Sequence, residues 1–249
     1  NFNPKFAAIE TAEPSLEDQA RLIMPGGDNI LLSEKNSHIE HRQDGQVVVD
    51  NNVIDSEKLS DKRIPGMNQL VIPYGKTSEL ILPDGTKVNL NAGSRLIYPE
   101  FFTDKTREVF LVGEAFFAVE HNDKMPFIVQ TTDIRIKVLG TQFNVSVYPS
   151  DNIIETVVAE GKIRLEQNST GMFSETTDIN PGQLAAFNKT ERTTQLKTVD
   201  IQNYILWKEG LLKFVSTDLS RIVKRLERYF NIRIKYSDPF FGNIKISGK

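Results

Sequence analysis

"RLIMPGGDNILLSEKNSHI" (Arg21–Ile39) and "ELILPDGTKVNLNAGSRLI" (Glu79–Ile97) are two versions of one phrase. Leu22, Ile23, Pro25, Gly27 and Leu32 recur as Leu80, Ile81, Pro83, Gly85 and Leu90 at an offset of 58, and Ser37 returns as Ser94 after one residue of slippage. Each copy is an apolar run, a Pro/Gly turn and a second apolar run, which reads as strand, corner, strand. A single hairpin buries too little apolar surface to stand alone, so the copies are expected to stack as equivalent turns of one larger β unit.

The surrounding chain continues in this manner. From Ala20 to Val199, short apolar or alternating runs such as "REVFLVGEAFFAVE", "IETVVAEGKIRLE" and "GQLAAFN" are separated by Gly, Asp and Asn. That pattern predicts a mainly β domain over 20–199, solenoid-like or a twisted pair of sheets, with a closed barrel as the alternative. Asp44-Gly45 and Asp84-Gly85 supply corners that accept positive φ. Residues 1–19 carry Pro4, Pro14 and several acids and read as a tether, while Asp50–Met67 is polar and reads as a surface loop.

Beyond Val199 the period changes. Leu219, Ile222, Val223, Leu226, Tyr229 and Phe230 form one helical stripe, with Arg221, Lys224, Arg225 and Arg228 on the other side. Ser216 or Thr217 is the expected N-cap, and Asn231 the left-handed stop. The flanks "LLKF" and "IRIKY" read as strands, with "NIKISG" as a further one, so 200–249 is predicted as part of a small α/β domain of βαβ type.

The chain has 249 residues and 39% hydrophobic content, ample for a core. It has no cysteine, which excludes disulfides, thiolate metal sites and a cysteine nucleophile. No run of about 18 apolar residues marks a membrane span, and the first residue is Asn1 rather than Met. Between Lys208 and Lys249 there are ten Lys/Arg against four Asp/Glu; with that +6 inside a total of −3, residues 1–207 carry −9. A basic end on an acidic body points to a separate module and to an acidic protein partner or a solvated face. With the whole chain acidic and no helix-turn-helix companion, nucleic acid is not the expected partner.

No catalytic set emerges. His38 and His41 lie too far out of phase on a strand to face one metal, and a solvated strand edge is expected there; His121 reads as an exposed loop residue. No Ser-His-Asp arrangement or phosphate-cradling loop appears, and no metal or cofactor site is predicted. Glu114 and Glu120 offer a carboxylate pair, and Tyr98, Phe101, Phe102, Phe110, Phe116 and Phe117 an aromatic cluster. Together these keep a carbohydrate-binding or carbohydrate-cleaving module as the alternative, against the reading of core aromatics and ordinary surface acids. Trp207, the single tryptophan, sits where acidic body meets basic end and is expected to pack between domains.

The motifs Leu82-Pro83-Asp84-Gly85-Thr86, Gly113-Glu114-Ala115-Phe116-Phe117, Pro126-Phe127 and Leu139-Gly140-Thr141-Gln142-Phe143-Asn144-Val145, followed by "VVAEGKIRL" and "NPGQLAAFN", closely resemble the FecR family of anti-sigma regulators over about Val71–Asn188. Phe116-Phe117 stands where the family commonly has Tyr-Phe. The end from Trp207 resembles the C-terminal domain of members that accompany SusC-type, TonB-dependent transporters, and is similar to the short signalling domain of secretins and such transporters. The resemblance implies a non-enzymatic, periplasmic part of a single-pass inner-membrane protein. Its partners would be the transporter's periplasmic signalling domain and, through a cytoplasmic segment outside this chain, an extracytoplasmic-function sigma factor; its only membrane contact would be a helix also outside it. Gly85, Gly113 and Gly140 are then expected in tight turns or bulges. The expected partner surface is the basic module, comprising Lys213, Arg221, Lys224, Arg225 and Arg228 for encounter and the strand holding Ile244 and Ile246 for pairing.

Overall fold

The structure, a computed structural model, describes residues 6, 14, 19–25, 27–42, 45–54, 66–168 and 175–249. One sheet runs in the spatial order β2 (Asn29–Leu31), β1 (Arg21–Ile23), β6 (Met67–Ile72), β9 (Ser94–Pro99), β10 (Arg107–Ala118), β11 (Phe127–Gln130), β12 (Ile134–Val138), β15 (Ile163–Gln167), β16 (Thr176–Ile179). A second runs β5 (Asn52–Ile54), β4 (Val47–Val49), β3 (Asn36–His41), β7 (Thr77–Ile81), β8 (Lys87–Leu90), then β10 again, β13 (Gln142–Val147), β14 (Ile153–Glu160), β17 (Gln183–Asn188), β18 (Thr193–Thr198). The chain alternates between the two, so this is the twisted two-sheet form of the expected β domain. "IETVVAEGKIRLE" is accordingly a crossing: β14 lies in one sheet and β15 in the other.

β10 joins the layers. Its Val112 pairs with Arg95 in the first sheet, and the next residue, Gly113, pairs with Val147 in the second. Gly113 makes the handover at φ +95°, and a Cβ there would lie 2.5 Å from Ser94 Oγ and 2.6 Å from the Gly93 carbonyl. The site therefore excludes side chains on two counts, conformation and space. Gly140, by contrast, has ordinary φ; its constraint is proximity, since a Cβ would lie 2.8 Å from His121 Cα.

The repeated phrase makes the same local structure twice. Leu22 pairs with Ile30 as Leu80 pairs with Val88. Each corner closes with the same two backbone bonds, Met24 N–H to Asp28 O and Gly27 N–H to Met24 O in one copy, Leu82 N–H to Thr86 O and Gly85 N–H to Leu82 O in the other. The two hairpins lie in opposite sheets, and the copies adjoin where β3, at the end of the first, pairs in parallel with β7, at the start of the second, with Ile39 opposite Leu80. Their apolar residues meet across the middle, where Leu22, Leu80, Leu90 and Leu96 join one core. Phe117 stacks on Phe143 at 5.2 Å and reaches Phe127 of the facing sheet at 6.1 Å.

Of residues 1–19 only Phe6, Pro14 and Gln19 are described; Phe6 is buried with its ring 5.6 Å from that of Phe110, and the rest of the expected tether lies outside the described residues. Within Asp50–Met67, β5 and the first residue of β6 are ordered strand, and 55–65 lies outside the described residues.

After β18 come α1 (Gln202–Ile205), a 3-10 turn (Leu206–Glu209), β19 (Phe214–Asp218), α2 (Leu219–Phe230), a second 3-10 turn (Pro239–Asn243) and β20 (Lys245–Gly248). β20 is antiparallel to β19, and α2 packs on β19 and the second 3-10 turn. "IRIKY" is not a strand: the Ile234 N–H is taken by the Glu227 carboxylate at 2.8 Å, and β20 occupies the β19 edge. Ser216 and Thr217 lie inside β19, so neither caps α2; Asp218 takes the N-cap backbone position while its carboxylate pairs with Lys245. Asn231 ends the helix in the left-handed conformation as expected, φ 56° and ψ 49°.

Candidate functional site

The signature motifs turn out to be joints. In Leu82-Pro83-Asp84-Gly85-Thr86, Asp84 accepts from the Thr86 hydroxyl at 2.8 Å and from Arg107 Nη1 at 2.7 Å. Arg107 is 2% exposed and also donates to the Met125 and Glu120 carbonyls at 2.8 Å, tying the corner to the start of β10. Nothing in the spacing of the sequence singled out Arg107; a cation opening a long and largely apolar strand was the available signal.

The motif around Glu114 is a second joint. Ser94 Oγ accepts from the Glu114 N–H at 2.8 Å and donates to its carbonyl at 3.0 Å, bracing the Gly113 handover. The Glu114 side chain is buried and accepts from Asn91 at 2.8 Å and from Asn144 at 2.9 Å. Asn144 in turn accepts from the Trp207 indole at 3.0 Å. Trp207, 2% exposed, thus fastens the 3-10 turn before the basic module to the body, while Lys208 lies over the Phe116 ring at 5.0 Å. Both oxygens of the buried carboxylate are thus taken by amide donors.

α2 lies across the body beside this network. Arg221 pairs with Glu155 at 2.7 Å, Lys224 with Asp151 at 2.8 Å and Arg228 with Asp151 at 3.0 Å. Arg228, 5% exposed, also donates to Ser150 Oγ at 2.8 Å and stacks over Tyr148 at 3.6 Å. Burial opposes ionisation of Asp151, yet Arg228 and Lys224 outweigh it and hold the carboxyl below the usual carboxylate range. At the far end of the helix the Gly75 N–H donates to the Arg228 carbonyl at 2.8 Å, satisfying one of the last-turn acceptors. A cavity of about 170 Å³ remains in the seam, lined by Glu114, Tyr148, Asp151, Glu155, Arg221 and Arg225 among others.

The charge asymmetry is therefore met within the chain. Of the five basic residues expected to meet a partner, Arg221, Lys224 and Arg228 face the acidic body, Lys213 pairs with Asp200 at 2.7 Å, and Arg225 lies over Phe214 at 5.3 Å. Ile244 and Ile246 are 46% and 38% exposed.

The chemical candidates separate. His38 faces outward beside Glu79 at 3.6 Å, while His41 points inward, so the pair cannot share a metal. His41 is not at a solvated edge: it is buried, bonds Tyr98 OH at 2.8 Å, and burial lowers its pKa to about 4. His121 is exposed beside Asp123. Among the described residues no group of three His, Cys, Asp or Glu is placed to hold a metal ion. Glu114 is buried and Glu120 exposed, six residues apart along an extended chain, roughly 20 Å and beyond the reach of a glycosidase pair. Tyr98, Phe110, Phe116 and Phe117 are buried, Phe102 packs against the core, and Phe101 alone of that cluster is exposed.

The arrangement is thus a two-sheet body whose Leu82–Thr86 and Gly113–Glu114 motifs serve as joints, carrying a small module held to it through charge. The family model described as FecR protein matches residues 68–164, and that described as FecR, C-terminal, matches 211–249. A crystal structure at 1.65 Å of a chain assigned as an anti-sigma factor from Parabacteroides distasonis ATCC 8503 is similar at TM-score 0.66 and 32% identity, covering 72% of this chain and 82% of that one. A second structure of a chain assigned as an anti-sigma factor from that organism, at 2.50 Å, gives TM-score 0.64 and 31% identity over 73% of this chain and 83% of that one. No curated protein matches. The chain belongs to the FecR family of anti-sigma factors. Among the described residues no helix is long and apolar enough to cross a membrane, a statement about helices alone.

Proposed function

We propose that this chain is the periplasmic, non-enzymatic signal-receiving segment of a membrane-anchored anti-sigma factor. In this reading it binds the periplasmic signalling domain of a SusC-type, TonB-dependent outer-membrane transporter. Through a cytoplasmic segment outside this chain it then controls an extracytoplasmic-function sigma factor. The observation that carries the reading is where apolar surface is exposed. Among the described residues, nine of the fourteen exposed large hydrophobic ones lie between Leu211 and Ile246, Phe230, Phe240, Ile244 and Ile246 included. The body, by contrast, has most of its described apolar residues inside. A contiguous stretch of chain that leaves such residues in water is where a protein partner is expected.

β20 pairs with β19 along one edge only among the described strands, so its other edge suits an added strand, with Ile244 and Ile246 flanking it. Because α2 spends its cations on the body, steering toward an acidic partner falls in this state to exposed Arg233 and Lys235. The test is calorimetric titration of the transporter's signalling domain into the intact chain and into a version ending at Asn203. Loss of binding in the shortened chain is expected; undiminished binding would move the interface to the body.

A further inference from the structure

The seat beneath α2 is built independently of the helix. Asp151 sits on the turn joining β13 to β14, closed by its N–H to the Tyr148 carbonyl at 3.1 Å. The Tyr148 hydroxyl donates to the Ala92 carbonyl at 2.7 Å, and Lys189 donates to the Tyr148 carbonyl at 2.7 Å. The Asn152 side chain bonds Asn188 and Thr190 of the neighbouring hairpin. The body therefore presents Asp151, Glu155 and the Tyr148 ring at fixed positions, as a surface for a basic helix.

We propose that this acidic seat is an intramolecular mask: it occupies the basic face of α2 in the closed chain, and an acidic protein surface gains Arg221, Lys224 and Arg228 only when the seat lets go. Three ion pairs close it, and they are unequal. The Arg221 and Lys224 side chains are 52% and 46% exposed, so their pairs are screened and contribute little each. Arg228 is withdrawn from solvent, and its pair is the one whose loss leaves a buried charge without a counterion. Asp151 serves both Lys224 and Arg228, which makes this single carboxylate the catch of the mask. The inference concerns regulation of the C-terminal module. It rests on the preceding reading only for the identity of the acidic partner, since opening is read on the chain alone.

The experiment uses the full chain with Asp151→Asn, Glu155→Gln, the two combined, and Asp151→Glu as the conservative variant. Hydrogen exchange over 219–230 should accelerate at least about tenfold in Asp151→Asn, with exchange in β10 unchanged, and trypsin should begin to cut at Arg221, Lys224, Arg225 or Arg228. Asp151→Glu should stay closer to the parent. Binding of a poly-glutamate peptide should tighten by at least about tenfold in the combined variant. A control with the same net charge, Glu34→Gln with Glu191→Gln at exposed positions, should not gain. Unchanged exchange in Asp151→Asn would show the helix held by apolar packing and overturn the proposal. Opening without gain in poly-glutamate binding, or equal gain in the control, would also overturn it. If Asp151→Asn loosens β10 as well, the exchanged pair decides: Glu155→Arg should open the helix and Glu155→Arg with Arg221→Glu should close it, and failure to reclose overturns the mask. Neither readout involves the transporter domain, so failure of that partnership leaves these outcomes distinct.

Discussion

Acidification should destabilise this protein through His41, and the amount follows from its surroundings. The imidazole is buried against Tyr98 at 2.8 Å, and burial lowers its pKa from 6.5 to about 4. Tyr98 is itself fully buried, and burial raises its pKa well above the ordinary phenol value, so it remains a neutral hydroxyl partner. A neutral imidazole can accept from or donate to that hydroxyl; an imidazolium can only donate, and brings a charge into the core. Between pH 6.5 and about 4 the unfolded chain binds a proton at this position and the folded chain does not, so stability falls as pH falls. The full shift corresponds to about 3 kcal/mol, of which about 2 kcal/mol is lost between pH 7 and pH 5. Guanidinium denaturation at pH 7, 6 and 5, followed by Trp207 fluorescence, would be run on the parent and on His41→Gln, which keeps a polar group toward Tyr98 but cannot titrate. Other ionisations cancel in the difference. The parent should lose about 2 kcal/mol more than the variant over that range. A difference between the two that stays constant from pH 7 to pH 5 would refute the reasoning.

Three further outcomes follow from the joints. Arg107→Ala strips Asp84 of its buried cation and two carbonyls of their donor, and should cost about 3–5 kcal/mol in chemical denaturation; a cost near zero would mean that Thr86 alone holds the corner. Trp207→Phe keeps the ring but leaves the Asn144 oxygen without its donor, and should cost about 1–3 kcal/mol, read by thermal unfolding, with faster exchange over 202–210. Gly113→Ala meets Ser94 and the Gly93 carbonyl while holding positive φ, and should cost at least about 1–3 kcal/mol, read as a fall in Tm, whereas Gly182→Ala, also at positive φ (79°) but with open space around it, isolates the conformational part.

What could be read from the sequence depended on range. The hairpin chemistry of Leu22–Leu32 and Leu80–Leu90 is local, so the corners and registers follow from Pro, Gly and the alternation of apolar residues. Which sheet each copy joins is set by pairings such as Leu22 with Leu70 and Ser78 with Ser37 across the chain, and no local pattern encodes them. The stripe of α2 and the Asn231 stop were legible for the same local reason. Its basic face was legible as a face, but its neighbour, Asp151, lies some seventy residues upstream, and a solvated face and a clamped face have the same sequence. "IRIKY" shows the converse: it alternates like a strand, yet strand formation needs an edge, and β20 holds the one offered by β19. His41 was placed at a solvated edge because polarity is a poor guide where a hydroxyl such as that of Tyr98 waits inside.

β10 carries a consequence for how the molecule comes apart. β8 and β9, which precede it in the chain, each pair with a different part of it, and β11 and β13, which follow it, do the same. Within the body, neither the strands before β10 nor those from β11 to β18 hold a finished sheet of their own, because both borrow edges of this one strand. Removing it would strand four partners at once. Despite its length and its two layers, the body should therefore melt as one cooperative unit, with the slowest-exchanging amides gathered along β10 and protection falling off toward the outlying strands β5 and β16.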